Sequence, residues 1–402
     1  MTTDALVSDV SGVGQTQTAE RERFTRLSAA IVFLIFFQTY MLAPLIPFLA
    51  SGFGVSPARI ALVIPAYTLP YAAAGLILGA ISDRLGRRAI LFASLVGFPM
   101  LSACCALAAS VEGLIVARVV SGLCNAGIVV MAITLIADLY PDKGRARALG
   151  WVFGAIAGGG AFGSTAAGLL APVIGWRGLF LLTAAASLTV LPLFVSLWTV
   201  TQPKSRERLP WRSILPGFVS LARNGRAMTT YAFIAANATF HSGVFTWLGF
   251  LLHGRYGLSE RGIGLALLGY GVPGFLFGPL IGRVVDRYGR RHIIPAGFAV
   301  ASLCAAMLAL HLPLWVAMAA VTGLSLGFDL THPLLAGIAA GLDNQRRGQA
   351  IGVNTFSIFL GLGVGSLAFG VLAPLGLGPA LLVFASLQAG AGVLSKRAFS
   401  ND

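Results

Sequence analysis

The stretch Gly79-Ala80-Ile81-Ser82-Asp83-Arg84-Leu85-Gly86-Arg87-Arg88 returns 203 residues later as Gly282-Arg283-Val284-Val285-Asp286-Arg287-Tyr288-Gly289-Arg290-Arg291. The register extends outward from it. The same shift sets Tyr67, Pro70, Gly75 and Ile90 on Tyr270, Pro273, Gly278 and Ile293. A shift of 202 sets Arg145, Ala148, Gly150 and Pro172 on Arg347, Ala350, Gly352 and Pro374. So many identities in register mark an internal duplication, which has to be read before any single residue. In both copies the charges form a short basic loop between long apolar runs. Gly86 and Gly289 suit the tight turn such a loop needs, and Gly79 and Gly282 let neighbouring helices approach closely.

Composition says what surrounds these loops. Of 402 residues, 57% are hydrophobic and only 10% charged, where soluble domains carry about 25%. So few charges cannot build a water-exposed surface, and lipid has to cover most of the chain. Fifty glycines fit close helix packing in lipid. Cys104, Cys105, Cys124 and Cys304 lie inside apolar runs without metal spacing, and read as reduced packing residues. The net charge of +14 is not a nucleic-acid footprint, because the basic residues sit in short loops between apolar runs.

Stretches long enough to cross a bilayer, about 20 residues each, fall at 25–50, 60–82, 89–109, 113–140, 146–170 and 177–200. A second set falls at 228–252, 263–283, 292–310, 313–341, 348–371 and 377–395. Residues 1–24 are expected to be a disordered polar tail, 25–200 one six-helix bundle and 228–402 a second. The basic linker 201–227 carries Trp211, Ile214, Leu215, Phe218 and Leu221 at near-helical spacing, which predicts a short interfacial helix. With the amino terminus in the cytoplasm, 23 Lys and Arg fall on that side and four on the other: Arg59, Arg177, Arg255 and Arg261. That bias predicts both termini in the cytoplasm.

The two loops resemble the signature loop of the major facilitator superfamily and its degenerate copy, and the resemblance covers the chain from about Arg26 onwards. It implies an all-α integral membrane fold. Twelve transmembrane helices would form two parallel, pseudo-symmetric six-helix bundles around a cavity lined by helices 1, 4, 7 and 10. It also implies gating by Gly79, Asp83, Arg84, Gly86 and Arg87, and by Gly282, Asp286, Arg287, Gly289 and Arg290. Asp83 would act on the start of helix 11 near Arg347, and Asp286 on the start of helix 5 near Arg145. Arg118-Val119-Val120-Ser121-Gly122 is similar to a family motif in which an intramembrane arginine supports proton coupling. Gly150, Gly159, Gly163 and Gly168 resemble the packing glycines of the drug/proton antiporter branch, with Ser164 and Ala167 replacing its proline and a further glycine. Gly175-Trp176-Arg177 leading to Phe180 is also common there.

Polar groups at membrane depth supply the site candidates. A charge at the bilayer centre costs about 2.5–3.5 kcal/mol on insertion scales, so it marks function by default. Asp329 is expected near the middle of helix 10, on one face with Thr322, Ser325 and His332. It is the candidate proton carrier, with Arg118 and His332 as partners in coupling. Helix 1 has no acid between Arg26 and Ala50 to share that role. Gln38 aligns with His241 between the halves, and Asn237 lies one turn before His241. With Ser325, Tyr67 and Tyr270 these are the candidate substrate contacts.

The sequence carries no HExxH or phosphate-loop motif and no clustered metal ligands, so an enzyme and direct ATP drive are not expected. Gly158-x-Gly160-x-x-Gly163 matches a dinucleotide fingerprint but lies in an apolar helix with no strand before it. The expectation is a secondary transporter of a small organic compound in a bacterial inner membrane. It would need no cofactor beyond a proton gradient, no nucleic acid and no second copy. Proton-coupled efflux is the leading reading. The alternatives are uptake or facilitated diffusion of a small anionic metabolite, and a non-transporting membrane receptor.

Overall fold

A computed structural model describes residues 3–140, 142–197, 211–271, 273, 283–285, 287–342 and 347–400. Side chains at 3–17, 80, 83–85, 142–143, 146, 211–215, 340 and 347–348 lie outside the description. Among the described residues every regular element is helical. Nine helical segments among the described residues are long and apolar enough to cross a membrane, one of them 49 residues long.

Span 1 is α1 (Thr3–Tyr40) and α2 (Ile46–Phe53), parted at a bend where Pro44 opens a short 3-10 turn and Pro47 starts the new helix. Proline has no N–H to donate, so such breaks cost least at a helix start. Span 2 breaks likewise between α3 (Pro57–Ala61) and α4 (Pro65–Leu85). Spans 3 and 4 are α5 (Arg87–Ala106) and α6 (Val111–Leu139), the latter capped by Ser110, whose hydroxyl accepts from the Gly113 N–H at 3.1 Å. Spans 5 and 6 run through α7 (Asp142–Val195). Its 54 residues would stretch about 80 Å if straight, far beyond a bilayer. The chain reverses near Gly175, which has φ 71°, so Phe194 comes back to pack on Phe24 at the start of span 1.

The linker forms α8 (Trp211–Arg223), as its spacing predicts. Beyond it lie α9 (Gly225–Tyr256, span 7) and α10 (Glu260–Ala266), the start of span 8. There follow α11 (Arg290–Ala309), α12 (Leu314–Gly341), α13 (Arg347–Leu372) and α14 (Leu377–Ala398). The rest of span 8 falls largely outside the described residues, as do Gly282 and Asp286. Gly86 and Gly289 start α5 and α11 with φ 86° and 79°, in the left-handed region that the repeated loop requires. Residues 3–23, expected as an unstructured tail, instead continue α1. The membrane helix already meets the nucleation cost, and the polar run contains no proline to stop it.

Phe24 and Phe194 lie on one face of the molecule, from which α8 leads to α9, and Phe399 at the chain end packs on Phe233 of α9. Both termini therefore share one face. On the far face three arginines serve as local caps or partners. Arg59 pairs with Glu112 at 2.5 Å, Arg177 donates to the Ala108 carbonyl, and Arg255 donates to the Leu308 and Leu310 carbonyls. The last two sit where helix ends leave carbonyls unpaired and favour a cation.

The halves meet along α4 with α13 and along α7 with α10. Towards the far face they touch backbone to backbone. A Cβ on Gly168 would lie 2.4 Å from the Gly264 Cα, and one on Gly249 would lie 2.9 Å from Pro44. Apolar residues of both halves merge there into one core. Midway, the Tyr71 and Phe359 rings stack at 3.7 Å across the α4–α13 seam. The far face is closed.

Three of the four glycines expected to pack lie against a neighbouring helix. A Cβ would fall 2.5 Å from the Phe33 carbonyl at Gly159 and 2.4 Å from the Phe37 carbonyl at Gly163, as close as at Gly168. Gly150 is the exception: it is exposed and a Cβ there would meet nothing within 4 Å. Gly168→Ala is therefore expected to lower the melting temperature in detergent by forcing α7 from α10. Gly150→Ala should raise stability by about 0.5–1 kcal/mol through helix propensity. Equal effects at both positions would refute the backbone contact.

Candidate functional site

Helix breaks and turns bring five aromatic groups together where the halves meet. His241 of α9 is buried, 7% exposed. Tyr40, the last residue of α1, places its hydroxyl 3.2 Å from His241 Nε2. Tyr270, in the turn after α10, places its hydroxyl 2.8 Å from Nδ1 and 2.9 Å from Nε2. The Phe328 ring of α12 stacks on the imidazole at 4.0 Å, and Phe245 lies one helical turn along at 4.5 Å from Tyr270. Two narrow clefts, each with room for little more than a water molecule, adjoin this group and share His241 and Phe245 in their linings. The surface they present is aromatic and hydrogen-bonding.

Asp329 follows one residue after Phe328, half-buried on α12. Ser325 donates to its Oδ2 at 3.2 Å and accepts from the Gly271 N–H at 2.9 Å. One serine thus ties the carboxylate to the backbone of the turn that carries Tyr270. His332 lies a turn further on, stacked on Phe328 at 4.8 Å, its buried Nδ1 without a hydrogen-bond partner. Of the four residues expected on one face, Ser325, Asp329 and His332 lie beside the aromatic group, and Thr322 donates to the Met318 carbonyl one turn back.

The other candidates divide. Asn237 lines the smaller cleft, but its amide is held on both sides. It donates to Thr331 at 2.8 Å and accepts from Gln388 at 3.0 Å, binding α9, α12 and α14 together. Gln38 and Tyr67 are sealed within the first half, 2% and 1% exposed. Ser102 donates to the Gln38 carbonyl oxygen at 3.1 Å, and Asn125 donates to the Tyr67 hydroxyl at 3.4 Å. Arg118 lies 4.0 Å over the Tyr67 ring, with its Nε donating to the Val63 carbonyl at 3.4 Å. Neither Gln38 nor Tyr67 lines either cleft, because these side chains face α5 and α6.

At the termini face Arg87 forms an ion pair with Asp138 at the end of α6. Arg145 donates to the Tyr140 carbonyl at 3.1 Å, and Thr25 donates to the Tyr140 hydroxyl. Arg287 and Arg290 are exposed, the former 5.5 Å from the Tyr288 ring, and Gly79 is half-buried. The side chains of Asp83 and Arg84 lie outside the described residues, like Gly282 and Asp286.

Three residues of this site escape a reading for charged and amide groups: Tyr40, Phe245 and Phe328. Signals exist for two of them. Phe245 lies four residues after His241, on the same helical face, and Phe328 adjoins Asp329. A shift of 204 also sets Ser121 on Ser325 and Asn125 on Asp329, so the neighbourhoods of Tyr67 and Tyr270 are repeat-related.

Comparison with known proteins extends these findings. The family model described as Major Facilitator Superfamily matches residues 29–366 and 251–399. The MFS-type transporter YceJ of Bacillus subtilis (strain 168) is 27% identical over 356 residues, covering 85% of this chain and 87% of its own. The quinolone resistance protein NorA of Staphylococcus aureus (strain MRSA252) is 23% identical over 345 residues, with the same coverage of 85% and 87%. Among solved structures, the D-xylose-proton symporter superposes with a TM-score of 0.75 at 17% identity, over 93% of this chain and 96% of that one. The human organic anion transporter MFSD10 gives 0.73 at 18%, over 93% and 99%. At these identities the structural likeness speaks for the fold alone.

The Asn237–Gln388 contact generates a stability prediction. In a double-mutant cycle of Asn237→Leu and Gln388→Leu, each single change leaves a buried amide unpaired, and the pair should be non-additive by about 0.5–3 kcal/mol. Additive losses in thermal unfolding would show that the amides act independently.

Proposed function

Because the chain belongs to the Major Facilitator Superfamily of membrane transporters, we propose that it exports a small aromatic or amphipathic compound in exchange for protons. It works as a monomer by alternating access, in a bacterial inner membrane with both termini in the cytoplasm. The observation that carries this reading is Asp329. It is the sole Asp or Glu of the sequence that falls within the middle of a span, and it adjoins the aromatic group around His241. A charge at that depth costs about 2.5–3.5 kcal/mol on insertion scales. Taking up a proton removes that cost, and so does pairing with a cationic group of the compound, so proton and compound compete for one carboxylate.

The cycle follows from that competition. With the cavity open to the cytoplasm, compound enters among Tyr40, Phe245, Tyr270 and Phe328 and favours deprotonated Asp329. Rocking of the halves opens the far face, where a proton from outside displaces the compound. The neutral carboxylate then lets the empty site close and return. Ser325 orients the acid throughout. His241, touched by Tyr40 of the first half and Tyr270 of the second, lies where a swing of the halves would be felt. The likeness to a quinolone resistance protein supports outward movement of an aromatic compound, since a membrane transporter confers resistance by removing the compound from the cell. The excess of basic residues in loops on the termini face supports the orientation.

Proteoliposomes loaded with a pH indicator test the assignment. Adding a transported aromatic compound to wild type should move protons, and Asp329→Asn should abolish that movement while compound still binds. Compound-dependent proton flux that persists in Asp329→Asn would overturn Asp329 as the carrier.

A further inference from the structure

The first half contains a buried cation that the described residues answer only in part. Arg118 is 1% exposed, two turns into α6. Its Nε reaches a carbonyl and its plane covers Tyr67, but Nη1 and Nη2 are buried without a hydrogen-bond partner. Among the described residues no carboxylate pairs with it. Between Arg26 and Val195 the acids are Asp83, Glu112, Asp138 and Asp142. Glu112 is engaged by Arg59 on the far face and Asp138 by Arg87 on the termini face, and Asp83 and Asp142 belong to the ends of α4 and α7 on the termini face.

The neighbours add donors and no negative charge. Cys105 and Ser121 meet at 3.8 Å beside the guanidinium, and Ser102 lies one turn before Cys105 on α5. Ser102 holds the carbonyl oxygen of Gln38, whose Nε2 is likewise buried and without a partner. Burying a cation or a donor without a full set of partners is costly. The cluster therefore lacks an anion. Its repeat-related counterpart supplies none: at the 204 shift Arg118 falls on Thr322, while Asp329 falls on Asn125. Each half carries its own charge at a different place in the repeat, and the two are not paired here.

We propose that Arg118 is an anion-binding site in the first half, taking a carboxylate or similarly small monoanion on its Nη1–Nη2 edge. A planar fork of two N–H donors matches a carboxylate in geometry as well as charge. The anion is either a free ion or the carboxylate of a transported compound. This site is independent of proton carriage by Asp329 and of the direction of transport.

Thermal unfolding of the purified full chain in detergent tests it, with chloride, acetate or benzoate replacing sulfate at constant ionic strength. Wild type and Asp329→Asn should show a saturable rise in melting temperature of about 2–4 °C. Arg118→Gln should show none, and general salt effects cancel in that comparison. Arg118→Lys, which keeps the charge and loses the fork, should bind at least about tenfold more weakly; it serves also where the glutamine variant fails to fold. Chloride and acetate binding alike, with benzoate excluded, identifies a free-ion site. Benzoate binding more tightly than acetate identifies the carboxylate of an aromatic compound. An anion response in wild type no larger than in Arg118→Gln, or an undiminished response in Arg118→Lys where only that variant folds, overturns the proposal.

Discussion

Hydrocarbon offers no partner to a charge, and that constraint arranges this protein from the loops inward. Charges that can leave the bilayer do so and find work at the faces, as Arg177 and Arg255 do on the carbonyls at helix ends and Arg87 does with Asp138. Backbone groups obey the same rule. Where prolines interrupt spans 1 and 2, the freed carbonyls turn inward, and Val63 finds the Nε of Arg118. The break in span 2 and the cation in span 4 thus answer each other in part, and the rest of the guanidinium stays unanswered.

With side chains unable to drive helices together in lipid as they do in water, close approach falls to the smallest residues. The seam of α7 with α10 is a backbone contact at Gly168 and Gly264, and α7 lies on α1 through Gly159 and Gly163. One long helical run thus carries both sets of contacts, from α10 to α1, and Tyr40 at the end of α1 meets His241 of the other half. The site lies between contacts that need no side chain, and aromatic rings fill most of it.

The sequence made the duplication, the basic loops and the spans legible, because each rests on a rule of period or length that tertiary packing does not override. Gly86 and Gly289 are a case in point, since their backbone conformation follows from the turn alone. Rotation about a helix axis is a different matter. Gln38 and Tyr67 lie on the right spans, yet both face inward to α5 and α6, and depth in the membrane says nothing about which side of a bundle a residue takes. Gly150 is a similar case: it belongs to a glycine-rich run, but a Cβ there would meet nothing within 4 Å. Tyr40, Phe245 and Phe328 went unread because an aromatic residue in an apolar helix looks like packing until a polar ring such as His241 is placed among them.

The duplication itself explains how one fold holds two unlike polar sites. Loops and seams need the same chemistry in both halves, and there the repeat matches residue for residue, from Asp83 on Asp286 to Gly86 on Gly289. The interior of each half is under no such demand. Tyr67 and Tyr270 mark equivalent places, but a guanidinium and an amide surround the first, while a serine-held carboxylate and an imidazole surround the second. Two positive sites facing each other would repel an anion's counter-charge, and two negative ones would repel each other. One of each sign leaves the interior dipolar, with Asp329 held by Ser325 and Arg118 held in part by the Val63 carbonyl and the Tyr67 ring.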